Sequence, residues 1–243
     1  MADDIATVLA RRGDLAGFIV HLTRDTENPK ASASDNLKSI VSGREIAART
    51  PMGFAASKLK AGPGLDSQKV VCFTETPLDM IKHLAVEVEG RQRQFKAYGI
   101  AVPRTVARQR NVNPVWYIDT TSPGGTFRDY LSPHVSALVA EAMNSGKPFQ
   151  DCAIAHLAPY FETMGINQWG RKEFWWEREW RHRGDFSLPL RYIGLCPESE
   201  IAEFQALAVT HGGVACRFVD PMWPLDRIIG EFAGFAAEDL RSV

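Results

Sequence analysis

The chain alternates short apolar runs, typical of buried strands, with segments in which apolar residues recur every three or four positions, as in amphipathic helices. The runs predict strands at GFIVHL (17–22), KVVCFTETPL (69–78), YGIAVP (98–103), NPVWYID (113–119), EFWWEREWRH (173–182), LPLRYIGLC (188–196) and VACRFVD (214–220). The fifth and sixth runs can form a hairpin across the intervening RGDFS.

The periodic segments predict helices at 3–15, 34–43, 77–90, 128–146, 197–213 and 224–235. Ser34 or Asp35 can cap the second helix, and Gly43 can end it, because glycine readily adopts the left-handed conformation found at helix C-termini. Residues 151–162 fit either a helix or a strand. Residues 50–68, rich in glycine and proline towards their end, predict a mobile loop.

Strands and helices follow one another without strict strand–helix–strand alternation, and the chain contains no internal repeat. This order favours an α+β fold over a doubly wound α/β fold. With 243 residues, 45% of them hydrophobic, the chain can bury one large core. We therefore expect a single domain over residues 1–243.

The composition excludes several partners of the whole chain. A net charge of -1 gives no overall attraction to nucleic acid or to an anionic membrane. The four cysteines are far apart and lack zinc-ligand spacing, which favours free thiols in a reducing cytosol over a disulfide pair. The N-terminus does not resemble a signal peptide, and no apolar run reaches the roughly 20 residues that cross a bilayer. We expect a cytoplasmic location, no membrane contact and no metal site.

The stretch FWWEREWRHRGDF, residues 174–186, interleaves three tryptophans with two glutamates and three arginines. In an extended strand, Trp175, Glu177, Glu179 and Arg181 would share one face, and Trp176, Arg178 and Trp180 the other. Two carboxylates about 6 to 7 Å apart repel each other unless a cation lies across them, an arrangement that suits a binding site. The spacing leaves open an edge strand whose Glu and Arg residues pair with neighbours, with tryptophans as core anchors.

Other candidate residues are ambiguous when taken alone. His21 lies within a predicted buried strand, where it can be a hydrogen-bonded core histidine or a functional one. Thr74, Glu75 and Thr76 lie at a strand end, where side chains can project into a cleft or serve the turn. Residues 87–110 hold six Lys or Arg against two Glu, whereas residues 198–243 hold eight acids against three bases. The basic segment can be solvated surface or can hold phosphates.

Common catalytic motifs are missing from the sequence. It contains no GxGxxG after a strand, no Walker A loop, no HExxH and no GxSxG. Dinucleotide-fold, P-loop, zinc-protease and α/β-hydrolase functions therefore lose most of their support.

Five segments in order, FIVHLTR, NLKSIVSG, VVCFTETPLDMIKH, YGIAVPRTVARQRNVNPVWYI and EREWRH, resemble the AbiGi family of abortive phage resistance proteins, a family described as antitoxins. The resemblance runs over residues 18–182 and, more loosely, through VDPMWPLDRII at 219–229. Its most specific parts are the CFxxxPLxxIxxH block and the YGI…NPVxY block.

The chain also resembles, more distantly, the DarT-like ADP-ribosyltransferases, through an early strand histidine, an NLxxIxxG helix and a late strand glutamate. This resemblance implies a central split, twisted mixed β-sheet flanked by helices, with NAD in the cleft. It also implies transfer of ADP-ribose from NAD with loss of nicotinamide. Breaking that bond builds positive charge on the ribose C1′ atom, which a facing carboxylate stabilises.

The same resemblance implies roles for particular residues. Glu179 is the catalytic carboxylate, and Glu177 is its runner-up or orients the acceptor. The implied NAD-binding residues are His21 at a ribose or the nicotinamide amide, Thr23 on the same segment, Asn36 on the early helix, Arg49 at the pyrophosphate, and Thr74 and Thr76 at the nicotinamide ribose. Asn36 can instead cap its helix. The loop at 47–66 has no counterpart of the family's arginine block, so the acceptor is not implied.

Three functions follow from these resemblances taken together with the basic segment at 87–110. The first is an NAD-dependent ADP-ribosyltransferase acting as a toxic effector in anti-phage defence, with a cognate antitoxin and a nucleic-acid acceptor held by Arg104, Arg108 and Arg110. The second is an antitoxin or regulatory partner that has lost the chemistry. The third is an NAD glycohydrolase, in which water replaces the acceptor. Sites rather than folds carry activity, so fold similarity alone does not choose among them.

Overall fold

The structure, a computed structural model, describes residues 16–27, 29–86, 94–167, 170–173, 175–213 and 216–234. The helix predicted at 3–15 lies outside these residues. The chain divides into two compact units, each built from separate segments of sequence. Unit 1 comprises Met1–Glu45, Glu75–Ala107 and Ser187–Val243, and unit 2 comprises Ile46–Thr74 and Arg108–Phe186. A single domain over 1–243 stays a prediction.

The strands in the described residues are short. They are β1 (Phe18–Leu22), β2 (Thr26–Glu27), β3 (Lys30–Ala31), β4 (Glu45–Ile46), β5 (Thr50–Pro51), β6 (Lys69–Thr74), β7 (Gly99–Pro103), β8 (Asn113–Pro114), β9 (Trp116–Asp119), β10 (Phe161–Asn167), β11 (Gly170–Lys172), β12 (Glu179–Arg183), β13 (Phe186–Ser187), β14 (Ile193–Leu195) and β15 (Arg217–Val219).

The α-helices are α1 (Ala33–Gly43), α2 (Pro63–Asp66), α3 (Arg104–Gln109), α4 (Ser132–Asn144), α5 (Ala153–Leu157), α6 (Ile201–Thr210) and α7 (Leu225–Ala233). Short 3₁₀ helices lie at Ala56–Lys58, Leu78–His83, Phe149–Asp151, Ala158–Tyr160, Trp175–Glu177 and Glu198–Glu200, and a π-helical turn at Phe127–Leu131 leads into α4.

Unit 1 is built on strands in the order β15, β14, β7, β1. β14 and β15 are parallel, whereas β7 is antiparallel to both of its neighbours. Ile19 and Val20, adjacent on β1, are both buried, so both faces of this strand are covered and its sequence is apolar without alternation. The main core of the unit contains Val20, Leu22, Ile81, Leu84, Ala101, Ile193, Leu195, Val219, Trp223 and Ile228.

Helix α1 ends at Gly43 as predicted, but it begins at Ala33 and its capping residues differ from those predicted. Ser32, rather than Ser34 or Asp35, caps it, and the Ser32 and Asp35 side chains each bond the other's backbone N–H in a capping box. Arg44, not Gly43, takes the left-handed conformation at the end, with a φ of 53°. The Arg44 guanidinium donates to the carbonyls of Pro189 and His211, which accounts for a non-glycine residue there.

Unit 2 contains two sets of strands. In the first, β12 is antiparallel to both β6 and β8, and β5 pairs with β6. In the second, β10 is parallel to β9 and antiparallel to β11. A separate core of small residues packs around Phe149 and contains Ala55, Val139, Ala142, Ala155 and Ala158.

The sequence predicted the coarse class correctly. Helices and mixed sheets occur in both units, which confirms an α+β protein. All four cysteines are free, as predicted. None of the helices that the structure describes is long and apolar enough to cross a membrane.

Several element predictions were wrong. The strand predicted at 173–182 starts only at Glu179, because Trp175–Glu177 is a 3₁₀ turn. Its hairpin partner is also wrong, since β12 pairs with β6 and β8 rather than with β14. The loop predicted at 50–68 contains β5, a 3₁₀ turn and α2, and the basic segment after β7 forms α3. Residues 151–162 contain α5 and then enter β10.

Candidate functional site

The backbone turns sharply just before Glu179. Arg178 has a φ of 47°, in the left-handed region that interrupts a strand. Glu177 therefore belongs to the preceding 3₁₀ turn and Glu179 to β12. The predicted alternation of side chains is therefore wrong for residues 175–178. It holds only from Glu179 onwards.

The Glu179 carboxylate is largely buried, with 12% of its side chain exposed, and it accepts hydrogen bonds at both oxygens. Arg181 donates from Nε to Oε1 at 2.9 Å and from Nη2 to Oε2 at 3.0 Å. The Tyr117 hydroxyl donates to Oε2 at 2.9 Å. Glu179 and Arg181 share a face of β12 because they are two residues apart on a strand. The pair is therefore a two-pronged ion pair built on one strand.

Arg181 is the most completely buried charge of this group, with 1% of its surface exposed. Its guanidinium also donates to the Pro159 carbonyl and, at 3.2 Å, to Oε2 of Glu162. One cation thus faces two carboxylates, from Glu179 and Glu162. We call Tyr117, Glu162, Glu179 and Arg181 the Glu179 cluster.

The electrostatics of the cluster keep Glu179 ionised. Burial alone would raise the pKa of Glu179, but the charge of Arg181 and hydrogen bonds from Arg181, Cys72 and Tyr117 outweigh it, so the pKa lies below its ordinary value. Burial, and then the Glu179 charge, raise the pKa of Tyr117. The same two causes raise the pKa of Cys72 well above its usual range. At neutral pH the carboxylate is therefore charged, and the phenol and thiol are protonated.

Thr74 joins β6 to the turn that precedes Glu179. It lies opposite Glu179 in the β6–β12 register, and its hydroxyl donates to the Glu177 backbone carbonyl at 2.5 Å. This bond fixes the turn that separates the two glutamates. Because this bond uses the hydroxyl proton, the predicted contact of Thr74 with the nicotinamide ribose would have Thr74 as the hydrogen-bond acceptor.

The predicted site residues divide between the two units. Glu177, Glu179, Thr74 and Arg49 belong to unit 2, and His21, Thr23, Asn36 and Thr76 belong to unit 1. The structure brings Glu177, Glu179 and Thr74 together, whereas Arg49 is exposed ahead of β5. A single NAD site formed by all eight residues stays a prediction.

Within unit 1, Thr23 and Asn36 tie the end of β1 to α1. The Thr23 hydroxyl, which is buried, donates to the Ala33 carbonyl at 2.8 Å. The Asn36 amide donates to the Arg24 carbonyl at 3.0 Å. Asn36 does not cap α1, since Ser32 does. Both side chains therefore hold α1 against the end of β1. If they also bind NAD, they must do so while keeping these hydrogen bonds.

The three arginines predicted to meet a nucleic acid have different surroundings. Arg104 forms an ion pair with Glu75, whose side chain is buried. The Arg110 guanidinium lies 5.8 Å from the centroid of the Phe186 ring, a cation–π contact. Arg108 is exposed on α3. Arg104 is thus engaged by Glu75 within the protein. Arg108 is the arginine whose exposure suits a contact with a phosphate.

Sequence reasoning placed Arg181 on the glutamate face but missed Tyr117 and Glu162. The pairing of Glu and Arg residues was one of the alternatives that the strand spacing left open, and it describes Glu179 and Arg181. No signal in the sequence connects Tyr117 or Glu162 with residue 179, because they come from β9 and β10. Among the described residues, no group of His, Cys, Asp or Glu is arranged to hold a metal ion.

The chain has no match among protein-family models, curated proteins or solved structures. The Glu179 cluster and the sequence are the observations that bear on its function.

Proposed function

We propose that this protein is an NAD-dependent ADP-ribosyltransferase that acts as a toxic effector in anti-phage defence and modifies nucleic acid. The observation that carries the proposal is the largely buried Glu179 carboxylate at the start of β12, held ionised by Arg181 and Tyr117. The proposed fold is the split, twisted sheet of ADP-ribosyltransferases, and the proposed location is the cytoplasm.

The chemistry needs a fixed anion. As the nicotinamide bond of NAD breaks, positive charge develops on the ribose C1′ atom, and a carboxylate that is already ionised and oriented stabilises that charge without reorganising. Glu179 is oriented by three donors of its own chain, which supports this role. Arg181 offsets part of the charge of this carboxylate, and Glu162 pairs with the same guanidinium.

The other roles are part of the same proposal. Glu177, held by Thr74 just before the strand, orients the acceptor. NAD contacts come from His21, Thr23, Asn36, Arg49, Thr74 and Thr76. Arg108 and Arg110 hold a nucleic-acid acceptor, with Arg104 serving Glu75 instead. A cognate antitoxin restrains the activity.

One observation favours a second function. Both oxygens of Glu179 already accept hydrogen bonds from the protein, as expected of a structural ion pair. A protein that kept this cluster for folding alone would be an inactive antitoxin or regulatory partner.

Expression toxicity in a bacterial host separates the two functions. The proposal predicts that the wild-type protein arrests growth and that Glu179→Gln, at equal soluble abundance, does not. Glu162→Gln is the matched control, because it removes the other carboxylate on Arg181, and it should stay toxic. If wild type and both variants are harmless, and the wild type neutralises a neighbouring toxin, the protein is an antitoxin.

A further inference from the structure

Trp116 is a large aromatic residue that is exposed although its ring is held in place. It lies on β9 and is 61% exposed. Its ring meets the Phe161 ring of the paired strand β10 edge to face, with the ring centroids 5.0 Å apart and an angle of 88° between the planes. Phe161 also contacts the Phe54 ring edge to face, at 6.4 Å. This packing restricts the orientation of the indole and leaves much of its surface open to a ligand.

Trp116 faces away from the Glu179 cluster. Successive side chains of a strand point to opposite faces, and Tyr117, the next residue of β9, donates to Glu179. In the β9–β10 register, Trp116 pairs with Phe161, whereas Tyr117 pairs with Glu162 of the cluster. The aromatic pair and the cluster thus occupy opposite faces of these two strands. A ligand that contacts Trp116 is therefore held outside the site proposed for the transfer chemistry.

Trp116 ends an exposed segment that follows from α3 along the edge of a sheet. We call residues 108–116 the edge segment. Its exposed residues are Arg108, Gln109, Asn111, Asn113, Pro114 and Trp116. Val112 and Val115, which are buried, anchor it. Within it, β8 pairs with β12 and ends the strand order of its sheet in the part of the chain that the structure describes.

The charge of the edge segment has one sign. Residues 108–118 contain two arginines and no Asp or Glu. Arg108 is exposed, and Arg110 lies over the Phe186 ring. The segment therefore combines positive charge, side-chain amides and one exposed indole.

We propose that the edge segment binds single-stranded nucleic acid, with a base stacked on Trp116 and a phosphate at Arg108. Every base has a π face that can stack on an aromatic side chain, and the positive charge of the segment is complementary to the phosphate backbone. The inference rests on the proposed function only in that Arg108 holds the acceptor there. Binding of the strand itself needs no NAD.

Two features of the edge segment favour this ligand over a protein partner. Its exposed apolar surface is confined to Trp116 and Pro114, whereas protein interfaces expose larger contiguous apolar patches. Its other exposed side chains are an arginine and three amides, which can bond phosphates and the edges of unpaired bases.

Fluorescence anisotropy with labelled single strands of about 12 nucleotides, in DNA and in RNA, tests the proposal without NAD. Trp116→Ala should weaken binding at least fivefold, as expected for the loss of one stacked base. Trp116→Phe keeps an aromatic face and should stay within threefold of wild type. Phe232→Ala, which removes a 44% exposed aromatic ring from unit 1, is the matched control and should stay within twofold.

An abasic strand of the same length separates stacking from a general effect on the fold. It keeps the phosphates and lacks the bases, so wild type and Trp116→Ala should bind it equally, and more weakly than wild type binds the normal strand. The slope of log affinity against log salt should be unchanged in Trp116→Ala, because stacking releases no counterion.

Three results would overturn the proposal. The first is an equal loss for Trp116→Ala on the normal and the abasic strand, which would show that the substitution acts through the fold. The second is unchanged affinity of Trp116→Ala for the normal strands, or no binding of them by folded wild type. The third is tighter binding of a duplex of the same sequence, since the bases of a duplex are already stacked on one another.

The outcome is separable from that of the proposed function because the binding assay contains no NAD. Binding that depends on Trp116, without any transfer of ADP-ribose, would keep this surface and reject the transferase. Transfer to nucleic acid that is unaffected by Trp116→Ala, together with unchanged binding, would keep the transferase and reject this surface.

Discussion

The Glu179 carboxylate keeps its charge in a largely buried position because donors of its own chain replace most of the water that burial removes. The two nitrogens of Arg181 and the hydroxyl of Tyr117 supply three hydrogen bonds. Removing one partner of such a pair would leave an uncompensated charge, which typically costs about 3 to 5 kcal/mol. The cluster therefore contributes to the stability of the fold, and Arg181 keeps one carboxylate partner when either Glu179 or Glu162 is replaced by Gln.

Tyr117→Phe removes one donor and leaves the ring. We expect a loss of about 1.5 to 3 kcal/mol in the free energy of unfolding at neutral pH, because the bond is made to a charged group. Tyr130→Phe, at a position that is 71% exposed, should cost little. Urea unfolding measures both, and equal effects would show that the hydroxyl of Tyr117 is not bonded to Glu179.

The same variant should show a defined pH dependence. The pKa of Glu179 is depressed in the folded protein, so its stabilisation is present above the ordinary carboxyl value of about 4.3 and is lost as pH falls through the folded pKa. The stability difference between wild type and Tyr117→Phe should therefore shrink in acid. A difference independent of pH would point to packing rather than to the carboxylate.

At this scale the sequence predicted part of the cluster. Alternation along a strand places Glu179 and Arg181 on one face, and the structure has them there. Tyr117 and Glu162 could not be assigned, because their approach depends on the pairing of β9 with β10 and not on local spacing.

Helices and strands were predicted best where the hydrophobic periodicity extends over many residues. They were predicted worst where the conformation of a single residue interrupts the element. Helices α4, α6 and α7 fall within predicted segments, and α1 begins one residue before its predicted segment. The strand prediction failed at Arg178, because a left-handed conformation is unusual for arginine and leaves no sequence signal. The Glu177–Thr74 bond that holds this turn joins residues far apart in the chain.

Strand β14 depends on a glycine. A Cβ atom at Gly194 would lie 2.0 Å from the Phe218 ring of β15, too close for any side chain. We expect Gly194→Ala to destabilise the protein by about 1 to 3 kcal/mol through overpacking. Gly43→Ala, with no atom within 4 Å of the added Cβ, is the control. Thermal unfolding compares the two, and an equal change in Tm would contradict the close approach.

At the scale of the whole molecule, the near-zero net charge hides an uneven distribution. Unit 2 carries 13 Lys or Arg against 10 Asp or Glu, whereas unit 1 carries 15 against 19. The composition of the full chain excluded a global attraction to polyanions, but it could not show this segregation, since the units alternate along the sequence. A nucleic-acid acceptor would therefore be expected at unit 2.

Charge reversal tests that expectation. Arg108→Glu with Arg110→Glu should weaken binding of single-stranded nucleic acid and reduce the slope of log affinity against log salt by about 1.4, for two lost phosphate contacts. Arg191→Glu with Arg217→Glu makes the same charge change at exposed positions of unit 1. Identical salt slopes for the two double variants would remove Arg108 and Arg110 from the acceptor site.

Transfer of label from NAD tests the central claim most directly. The purified protein is incubated with NAD labelled in its adenylate phosphate, and the label is followed into separate DNA, RNA and protein pools and into free ADP-ribose. The account predicts label in a nucleic-acid pool. Glu179→Gln should lower the rate of transfer at least tenfold, which corresponds to about 1.4 kcal/mol of lost transition-state stabilisation. Glu162→Gln should lower the rate less than threefold. Label only in free ADP-ribose would indicate a glycohydrolase, and no release of nicotinamide by a folded wild-type protein would contradict the enzymatic account.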